Sequence, residues 1–221
     1  MSKKIKKILA KKNRSKIVSL TAYSKNIAKI LDKYCDIILV GDSLANVLYG
    51  MKNTHQIKLE NMIQHSISVS KGIKKSLLVV DMPRDSYKSP KQAKKNAKLI
   101  VKKTNCDAVK IESNFKNYKI IRELVKSKIP VMGHIGFTPQ FKKKFKIEGQ
   151  NHREIKKLIK EALLIEKAGA FSIVLECLTA NAARKITNLL KIPTIGIGSS
   201  SFCDGQILVT DDILGLSGFY P

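Results

Sequence analysis

The chain has 221 residues, of which 43 % are hydrophobic and 27 % are charged, and its formal net charge at pH 7 is +25. This length suits one compact domain, and the hydrophobic fraction excludes a chain that is disordered throughout. A large positive charge suggests a nucleic acid or a membrane surface as partner. Only five of the 42 basic residues are Arg, the type preferred for bidentate contacts with phosphates and bases, so the composition does not favour nucleic-acid binding.

The sequence has no run of 18 or more apolar residues, and therefore predicts no membrane span and no membrane partner. The basic segment at about residues 1–16 lacks the apolar stretch of a secretory signal. A mitochondrial presequence is the alternative, although Lys stands where Arg is usual. The four cysteines lie far apart without a Cys-x-x-Cys pair, which argues against a zinc or redox site and for reduced thiols. We therefore expect a cytoplasmic protein.

Eight short apolar runs rich in β-branched residues recur along the chain, and each predicts a β-strand. They lie at 17–23, 35–43, 76–83, 107–112, 130–136, 171–177, 193–199 and 206–214. Their continuous apolar character, without alternation, is typical of parallel strands that are covered on both faces.

Amphipathic segments separate most of these runs and predict helices with readable ends. Pro90 suits the first turn of one helix, and Thr179 precedes another. Asn151 and Glu154 fit a capping box at the start of a third helix, which Gly169 ends. Further predicted helices cover 24–34, 60–71 and 115–127.

Alternating strands and helices predict a parallel sheet, and eight strands at this spacing predict that it closes into a (β/α)8 TIM barrel. The whole chain, residues 1–221, then forms a single barrel domain, which includes a basic N-terminal segment at about 1–16. An open doubly wound sheet is the main alternative. It requires a glycine-rich turn after the first strand, and the sequence TAYSKN found there contains no Gly.

Polar residues end five of the predicted strands. They are Asp42, Asp81, Glu112, His134 and Glu176. The C-terminal strand ends of a TIM barrel meet at one mouth, where catalytic groups lie. Carboxylates that converge there repel one another unless a cation neutralises them, and oxygen ligands favour a hard ion such as Mg²⁺. For any one of these residues, a strand-end charge that faces solvent is the alternative.

Lys110 lies two residues before Glu112, so both side chains point to the same side of their strand. We expect both to face the barrel axis, where Lys110 would pair with carboxylates or bind an anionic substrate. A lysine that faces the helices is the alternative.

His134 has Gly133 before it and Gly136 close behind, and these small neighbours predict room for a ligand. A structural, hydrogen-bonded histidine is the alternative. The remaining histidines are assigned no role: His55, His65 and His152.

Seven motifs, in this order, resemble the ketopantoate hydroxymethyltransferase family, whose members are also named 3-methyl-2-oxobutanoate hydroxymethyltransferases. They are VGDS (40–43), VDMP (80–83), VKIE (109–112), GHIGFTPQ (133–140), VLEC (174–177), IPTIGIG (192–198) and DGQILV (204–209). The resemblance runs from about Ser19 to about Pro221. It implies a barrel of the phosphoenolpyruvate/pyruvate type, here with a shortened C-terminal end.

The resemblance also implies an activity in pantothenate biosynthesis. A hydroxymethyl group passes from 5,10-methylenetetrahydrofolate, the co-substrate, to 3-methyl-2-oxobutanoate through a Mg²⁺-stabilised enolate, and the product is 2-dehydropantoate. The implied partners are these two substrates and further copies of the chain in a homo-oligomeric ring of decamer type. The implied catalytic residue, the proton acceptor, is Glu176. The implied Mg²⁺ ligands are Asp42, Asp81 and Glu112. The implied substrate-binding residues are Asp42, Ser43, Asp81, Lys110 and His134.

The chain departs from the family pattern at several places. Arg84 stands where the family usually has Phe, Ser113 and Asn114 replace two glycines, and the loop at 139–150 is shorter. Two other functions remain as alternatives. One is a Mg²⁺-dependent keto-acid lyase or mutase of the same barrel superfamily, and the other is a basic nucleic-acid-binding or scaffold protein on a decayed barrel. Retention of all the strand-end residues together argues against decay.

Overall fold

The computed structural model describes residues 2–113, 115, 117–142 and 144–218. Three predicted features lie outside these residues: the departure at Asn114, the part of the 139–150 loop at Lys143, and the end of the resemblance at 219–221. Within the described chain there are eight strands, β1 (Ile17–Thr21), β2 (Ile37–Val40), β3 (Leu77–Asp81), β4 (Ala108–Glu112), β5 (Val131–Gly136), β6 (Ser172–Glu176), β7 (Thr194–Ile197) and β8 (Gly205–Leu208).

These strands are all parallel and form a closed barrel in sequence order. β1 forms hydrogen bonds with β2 on one side and with β8 on the other. That closure confirms the predicted (β/α)8 barrel and excludes the open doubly wound sheet, in which the first and last strands would not meet.

Helices connect the strands and cover the outside of the barrel. In the described residues they are α1 (Lys3–Ala10), α2 (Lys25–Leu31), α3 (Leu44–Val47), α4 (Leu59–Ser70), α5 (Pro90–Thr104), α6 (Tyr118–Lys126), α7 (His152–Lys167), α8 (Ala180–Leu189) and α9 (Thr210–Ile213), with a 3₁₀ turn at Thr54–Gln56. The Asn151 side chain accepts a hydrogen bond from the Glu154 N–H, 2.9 Å away, which is one half of the predicted capping box. The Glu154 carboxylate accepts from the N–H groups of Gly149 and Gln150, and not from that of Asn151 as the box requires. None of these helices combines the length and the apolar character that crossing a membrane would take.

The alternation of side chains along each strand decides what fills the barrel and what reaches its mouth. Leu77 and Val79 of β3 pack inside the barrel, whereas Leu78 and Val80 pack outward in the core under the helices. Asp81 lies two residues after Val79, so its side chain also points inward. The period of two therefore carries apolar side chains through the barrel interior and places a polar one at its C-terminal end.

Helix α1 lies in the segment to which the sequence alone assigns no element. Its apolar face carries Ile5 and Ile8, which are almost completely buried and pack with residues at the starts of the strands, such as Ile37 and Leu77. The helix therefore closes the N-terminal end of the barrel and completes the interior core. An amphipathic helix of eight residues needs such packing, because it is too short to be stable alone in water.

Lysines hold this N-terminal segment on the barrel. Nζ of Lys4 lies 3.2 Å from Asp107, Nζ of Lys11 lies 2.6 Å from Asp36, and Nζ of Lys12 lies 2.8 Å from Asp204. The three aspartates directly precede β4, β2 and β8, respectively. Part of the lysine excess is thus structural.

The sequence predicts the wrong end for the last strand. The run at 206–214 is a strand only as far as Leu208, and Thr210–Ile213 form the short helix α9. Oγ1 of Thr210 donates to the carbonyl of Thr21, 2.6 Å away, which turns the chain at the end of β8. Asp211 and Asp212 then lie in the first helical turn, where negative charge is favourable.

Candidate active site

All seven predicted site residues line one cavity of about 270 Å³ at the C-terminal ends of the strands. They are Asp42, Ser43, Asp81, Lys110, Glu112, His134 and Glu176. Apolar side chains complete the wall, among them Val174, Ile197 and Ile207. The structure therefore brings together residues that the sequence places more than 130 positions apart.

A buried ion pair forms the centre of the cavity. Nζ of Lys110 lies 2.7 Å from Oδ1 of Asp81, and Oδ2 of Asp81 accepts the backbone N–H of Asp42 at 3.1 Å. Lys110 and Glu112 both line the cavity, as their spacing predicts. The alternative, in which Lys110 faces the helices, is wrong.

The carboxylates outnumber the positive charge in this cavity. Burial and the neighbouring Asp81 raise the pKa of Asp42 to about 7, against the opposing effects of Lys110 and Gln140. Burial and Asp42 likewise raise the pKa of Glu112 well above its usual value. Burial disfavours the ammonium of Lys110, but the surrounding carboxylates outweigh it and raise the pKa of Lys110. The cavity therefore favours binding of an additional positive charge.

His134 lies between two carboxylates. Its Nε2 is 3.1 Å from Oε2 of Glu176, and its Nδ1 is 3.9 Å from Oε1 of Glu112. Despite the short distance to Glu176, neither ring nitrogen forms an aligned hydrogen bond within the described chain. Burial and the charge of Lys110 lower the pKa of His134, so the ring is neutral at pH 7. The neutral imidazole therefore lines the cavity beside the carboxylate of Glu176.

Gly133 and Gly136, the glycines beside His134, do not have the role that the sequence predicts. A Cβ at Gly133 would lie 2.6 Å from Cγ2 of Ile165 on α7, on the side of β5 away from the cavity. Gly136 has a positive φ of 96°, and a Cβ there would collide with the carbonyl oxygen of Glu176. These glycines allow close packing of β5 against its neighbours, and the prediction that they make room for a ligand is wrong.

Ser43 is positioned by its hydroxyl and by the glycine two residues before it. Its Oγ lies 2.8 Å from the hydroxyl of Tyr23, and either hydroxyl can be the donor. Burial raises the pKa of Tyr23. A Cβ at Gly41 would lie 2.8 Å from the same Oγ. Gly41 in the VGDS motif therefore leaves space for the serine side chain at the cavity wall.

Gln140 is a buried residue of the site that sequence reasoning missed. Its Nε2 donates to Oδ2 of Asp42 at 2.8 Å and to the carbonyl of Met82 at 3.1 Å. Its backbone N–H donates to Oε2 of Glu112 at 3.0 Å, and its Oε1 accepts from the hydroxyl of Tyr87 at 2.5 Å. Gln140 thus holds two carboxylates on different strands. Its only sequence signal is its place at the end of the GHIGFTPQ motif.

His55, to which the sequence assigns no role, joins the loops around the mouth. Nη1 of Arg84 lies 2.7 Å from Nδ1 of His55, and Nε2 of His55 lies 2.8 Å from the carbonyl oxygen of Pro139. With Arg84 as donor, the second contact places the proton of the ring on Nε2. The departure from the family at Arg84 therefore supports the backbone next to Gln140.

The donor set of the cavity suits Mg²⁺. Among the described residues, no three or more His, Cys, Asp or Glu side chains are arranged as a ready-made metal cage. Mg²⁺, however, usually binds one or two carboxylates and completes its shell with water and substrate oxygens. Asp42, Asp81 and Glu112 provide only oxygen ligands, and their unbalanced negative charge fits a divalent cation shared with an anionic ligand.

Residues 2–221 match the family model described as Ketopantoate hydroxymethyltransferase. A 3-methyl-2-oxobutanoate hydroxymethyltransferase of Pelagibacter ubique (strain HTCC1062) is 54 % identical over 217 residues, which cover 98 % of this chain and 84 % of the relative. An enzyme of the same name from Anaplasma marginale (strain St. Maries) is 46 % identical, with 97 % and 78 % covered.

Solved structures with the same barrel are more distant in sequence. Phosphonopyruvate hydrolase in complex with oxalate and Mg²⁺ matches with a TM-score of 0.75 at 10 % identity, covering 98 % of this chain and 84 % of that one. A 2,3-dimethylmalate lyase of the PEP mutase/isocitrate lyase superfamily matches with a TM-score of 0.70 at 16 % identity, covering 94 % and 79 %. Likeness at these identities concerns the fold alone, and it agrees with the closed eight-stranded barrel of this chain.

Proposed function

The chain belongs to the ketopantoate hydroxymethyltransferase family, and from that membership we propose that it transfers a hydroxymethyl group from 5,10-methylenetetrahydrofolate to 3-methyl-2-oxobutanoate. The product is 2-dehydropantoate. The observation that carries this proposal is the meeting of the predicted strand-end residues in one cavity, namely Asp42, Asp81, Lys110, Glu112, His134 and Glu176.

Asp42, Asp81 and Glu112 would hold Mg²⁺ in this site. When bound, the ion would polarise the ketone of the keto acid and stabilise negative charge on its oxygen. The unbalanced carboxylates support this assignment, as does the Mg²⁺ bound by phosphonopyruvate hydrolase, which shares the barrel.

Other residues of the cavity then accept the proton, stabilise the enolate charge and bind the substrate. Glu176 accepts the proton from the branched carbon of the keto acid, because its carboxylate lines the cavity and its side chain stays 20 % exposed. Lys110 presents a buried positive charge near the oxygen on which enolate charge develops. Ser43 and the neutral His134 offer hydrogen bonds to the substrate, and Val174 and Ile197 contact its apolar methyl groups.

The transfer balances with one molecule of water and without any oxidant. The branched carbon loses its proton and bonds to the one-carbon unit, while both C–N bonds of that unit in the donor break. The water oxygen becomes the new hydroxyl group. The proton from the keto acid and the second proton of water remain on the two nitrogens of tetrahydrofolate.

We place this reaction in pantothenate biosynthesis and in the cytoplasm, on the basis of the names of the relatives and the sequence features described above. The proposal that several copies assemble into a homo-oligomeric ring of decamer type rests on the family resemblance.

A coupled assay with keto acid, methylenetetrahydrofolate and Mg²⁺ tests the proposed function. We expect 2-dehydropantoate only when all three are present, and exchange of the proton on the branched carbon in D₂O with keto acid and Mg²⁺ alone. Asp81→Asn should weaken binding of Mg²⁺ and of the keto acid together. Product release from a keto acid without folate would instead support the lyase or mutase alternative. Tight duplex-DNA binding, with no stabilisation by keto acid and Mg²⁺, would support the nucleic-acid alternative.

A further inference from the structure

A network of three hydrogen bonds connects a cation beside the barrel mouth with a carboxylate inside it. Nη1 of Arg84 lies 2.7 Å from Nδ1 of His55, and Nε2 of His55 lies 2.8 Å from the carbonyl oxygen of Pro139. The next N–H along the backbone, that of Gln140, lies 3.0 Å from Oε2 of Glu112. This Arg84–Glu112 network therefore starts in the loop after β3 and ends on β4.

The chemistry of the partners fixes the direction of each hydrogen bond in the network. A guanidinium has only donors, so Nδ1 of His55 accepts from Arg84, and the neutral ring carries its proton on Nε2. That proton is donated to the carbonyl of Pro139, which can only accept. The N–H of Gln140 is in turn donated to the carboxylate of Glu112. All three bonds thus have the same direction, from the cation to the carboxylate.

Two of the three hydrogen bonds meet on one peptide group. The carbonyl of Pro139 and the N–H of Gln140 belong to the same planar unit, called here the 139–140 peptide. His55 contacts it at one end and Glu112 at the other. Hydrogen bonds in a row polarise and strengthen one another, above all where water is excluded. Gln140 and Glu112 are only 1 % and 2 % exposed, so the inner end of the network meets this condition.

The first donor of the network distinguishes this chain from the family pattern. Arg84 stands where the family usually has Phe, and a phenyl ring cannot donate a hydrogen bond to His55. Without a donor at position 84, Nδ1 of His55 loses its partner, and nothing then fixes the ring proton on the nitrogen that faces Pro139. The substitution therefore adds a polar support to a peptide that contacts the candidate active site.

We propose that Arg84 and His55 are positioning residues that orient the Glu112 carboxylate for Mg²⁺ through the 139–140 peptide. With Oε2 of Glu112 held by the peptide N–H, its Oε1 is directed towards His134 on the cavity wall, 3.9 Å away. The inference rests on the proposed function, because it takes Glu112 as a ligand of Mg²⁺. It adds two residues that do not line the candidate active site but on which metal binding depends.

Titration with Mg²⁺ and hydrogen exchange, both on the full chain, test this inference. We expect His55→Leu and Arg84→Met to lower the affinity for Mg²⁺ about fivefold, somewhat less than the loss of a direct partner of a metal ligand. Exchange of the Gln140 amide should become about tenfold faster, because its peptide is no longer held at the carbonyl. His55→Gln, whose side-chain amide can still donate to Pro139, should recover much of both properties.

These readouts distinguish positioning from a general loss of stability. A destabilised fold would speed amide exchange in many elements, whereas the inference expects the change at the 139–140 peptide. In the coupled assay, the Mg²⁺ concentration that gives half the maximal rate should rise about fivefold in both variants, and excess Mg²⁺ should restore most of the rate.

Matched controls remove the same residue types from the exposed surface. His152→Leu at the start of α7 and Arg122→Met on α6 should change neither the affinity for Mg²⁺ nor the exchange of the Gln140 amide. The double variant of Arg84 and His55 should bind Mg²⁺ within about twofold of His55→Leu alone, because both residues act through one hydrogen bond to the peptide. Fully additive losses would show that they do not act in series, and would overturn the proposal.

The two measurements also separate this inference from the proposed function. If the wild-type protein neither binds Mg²⁺ nor forms product, yet the Gln140 amide exchanges faster in both variants, the proposed function is wrong and the network that orients Glu112 stands. If the wild-type protein is active and both variants match its affinity for Mg²⁺, the positioning role is wrong and the proposed function stands. Weaker Mg²⁺ binding with unchanged exchange at Gln140 would likewise overturn the inference.

Discussion

Lys110 on β4 and Asp81 on β3 occupy paired positions of neighbouring strands, and their side chains meet 2.7 Å apart at the buried mouth of the barrel. Parallel pairing in this register points both inward. The lysine is therefore held by the sheet itself, while Asp42 and Glu112 surround the pair with further negative charge.

Replacing Lys110 should impair both the site and its chemistry. Lys110→Met leaves the carboxylates without their internal cation and removes the positive charge proposed to face the developing enolate. We expect kcat/KM for the keto acid to fall by about 10²–10³, the range seen when a donor to a developing oxyanion is lost. Lys94→Met, which removes a surface lysine paired with Glu123, should leave kcat/KM unchanged. Comparable losses in both variants would contradict the role of Lys110.

Glu176→Gln should separate substrate binding from catalysis. The amide keeps the size of the carboxylate but cannot accept the proton, so hydroxymethyl transfer and proton exchange should both be abolished. Binding of the keto acid in the presence of Mg²⁺ should stay nearly intact, which isothermal titration measures. The control is Glu60→Gln on the outer helix α4, with normal turnover expected. If Glu176→Gln lost keto-acid binding, Glu176 would be a binding residue and not the base.

Replacing Gln140 should affect metal binding first, because Gln140 contacts the carboxylates of the site and not the substrate. Gln140→Leu removes the side-chain hydrogen bond to Asp42 but keeps the backbone N–H that reaches Glu112. We expect a loss of affinity for Mg²⁺ of about tenfold, corresponding to one hydrogen bond to a charged group. Titration with Mg²⁺ checks this, with exposed Gln64→Leu on α4 as control. Equal affinities in the two variants would show that Gln140 does not order the site.

The helix that closes the barrel should contribute strongly to stability. Ile5→Ala leaves a cavity under α1 and should lower the free energy of unfolding by about 2–5 kcal/mol. Ile30→Ala removes the same atoms from a side chain that is 56 % exposed, and its effect should stay within about 0.5 kcal/mol. Denaturant unfolding of the two variants measures the difference. Similar small changes would mean that α1 is not part of the cooperative core.

Asp32 predicts a pH-dependent contribution to stability. Although burial opposes the charge, hydrogen bonds from the backbone N–H groups of Ser76, Lys75 and Lys74 lower the pKa of Asp32 below its ordinary value of 3.8. A carboxylate with a lowered pKa stabilises the folded state above the ordinary value, and this contribution is lost as the pH falls through the folded pKa. Asp32→Asn should therefore cost about 1–3 kcal/mol at pH 7, and the deficit should shrink as the pH falls below 3.8.

Unfolding by urea at several pH values tests this prediction. Asp85→Asn is the matched control, because its carboxylate is largely exposed and pairs with the exposed Lys88, and it should cost little at any pH. A deficit for Asp32→Asn that grew as the pH fell would have the wrong sign and would rule out the hydrogen-bonded carboxylate as its cause.

The sequence by itself determined the barrel and most of its mouth. Strands and helices are encoded by local patterns with periods of 2 and 3.6 residues, and the strand period alone carries Asp81, Lys110 and Glu112 to the same face. The motifs that end the strands were likewise sufficient to identify the family, because each lies within a few consecutive residues.

Tertiary structure alone decided the contacts between distant parts of the chain. Lys12 meets Asp204 across 192 positions, and Gln140 meets Asp42 across 98 positions. No local pattern predicts such pairs, because the sequence around Lys12 does not distinguish it from the exposed lysines nearby. The same holds for Gly133, whose neighbour Ile165 on α7 is known only once the helix is packed. Local periodicity therefore specified which residues reach the mouth, whereas packing of the closed barrel specified what each one touches.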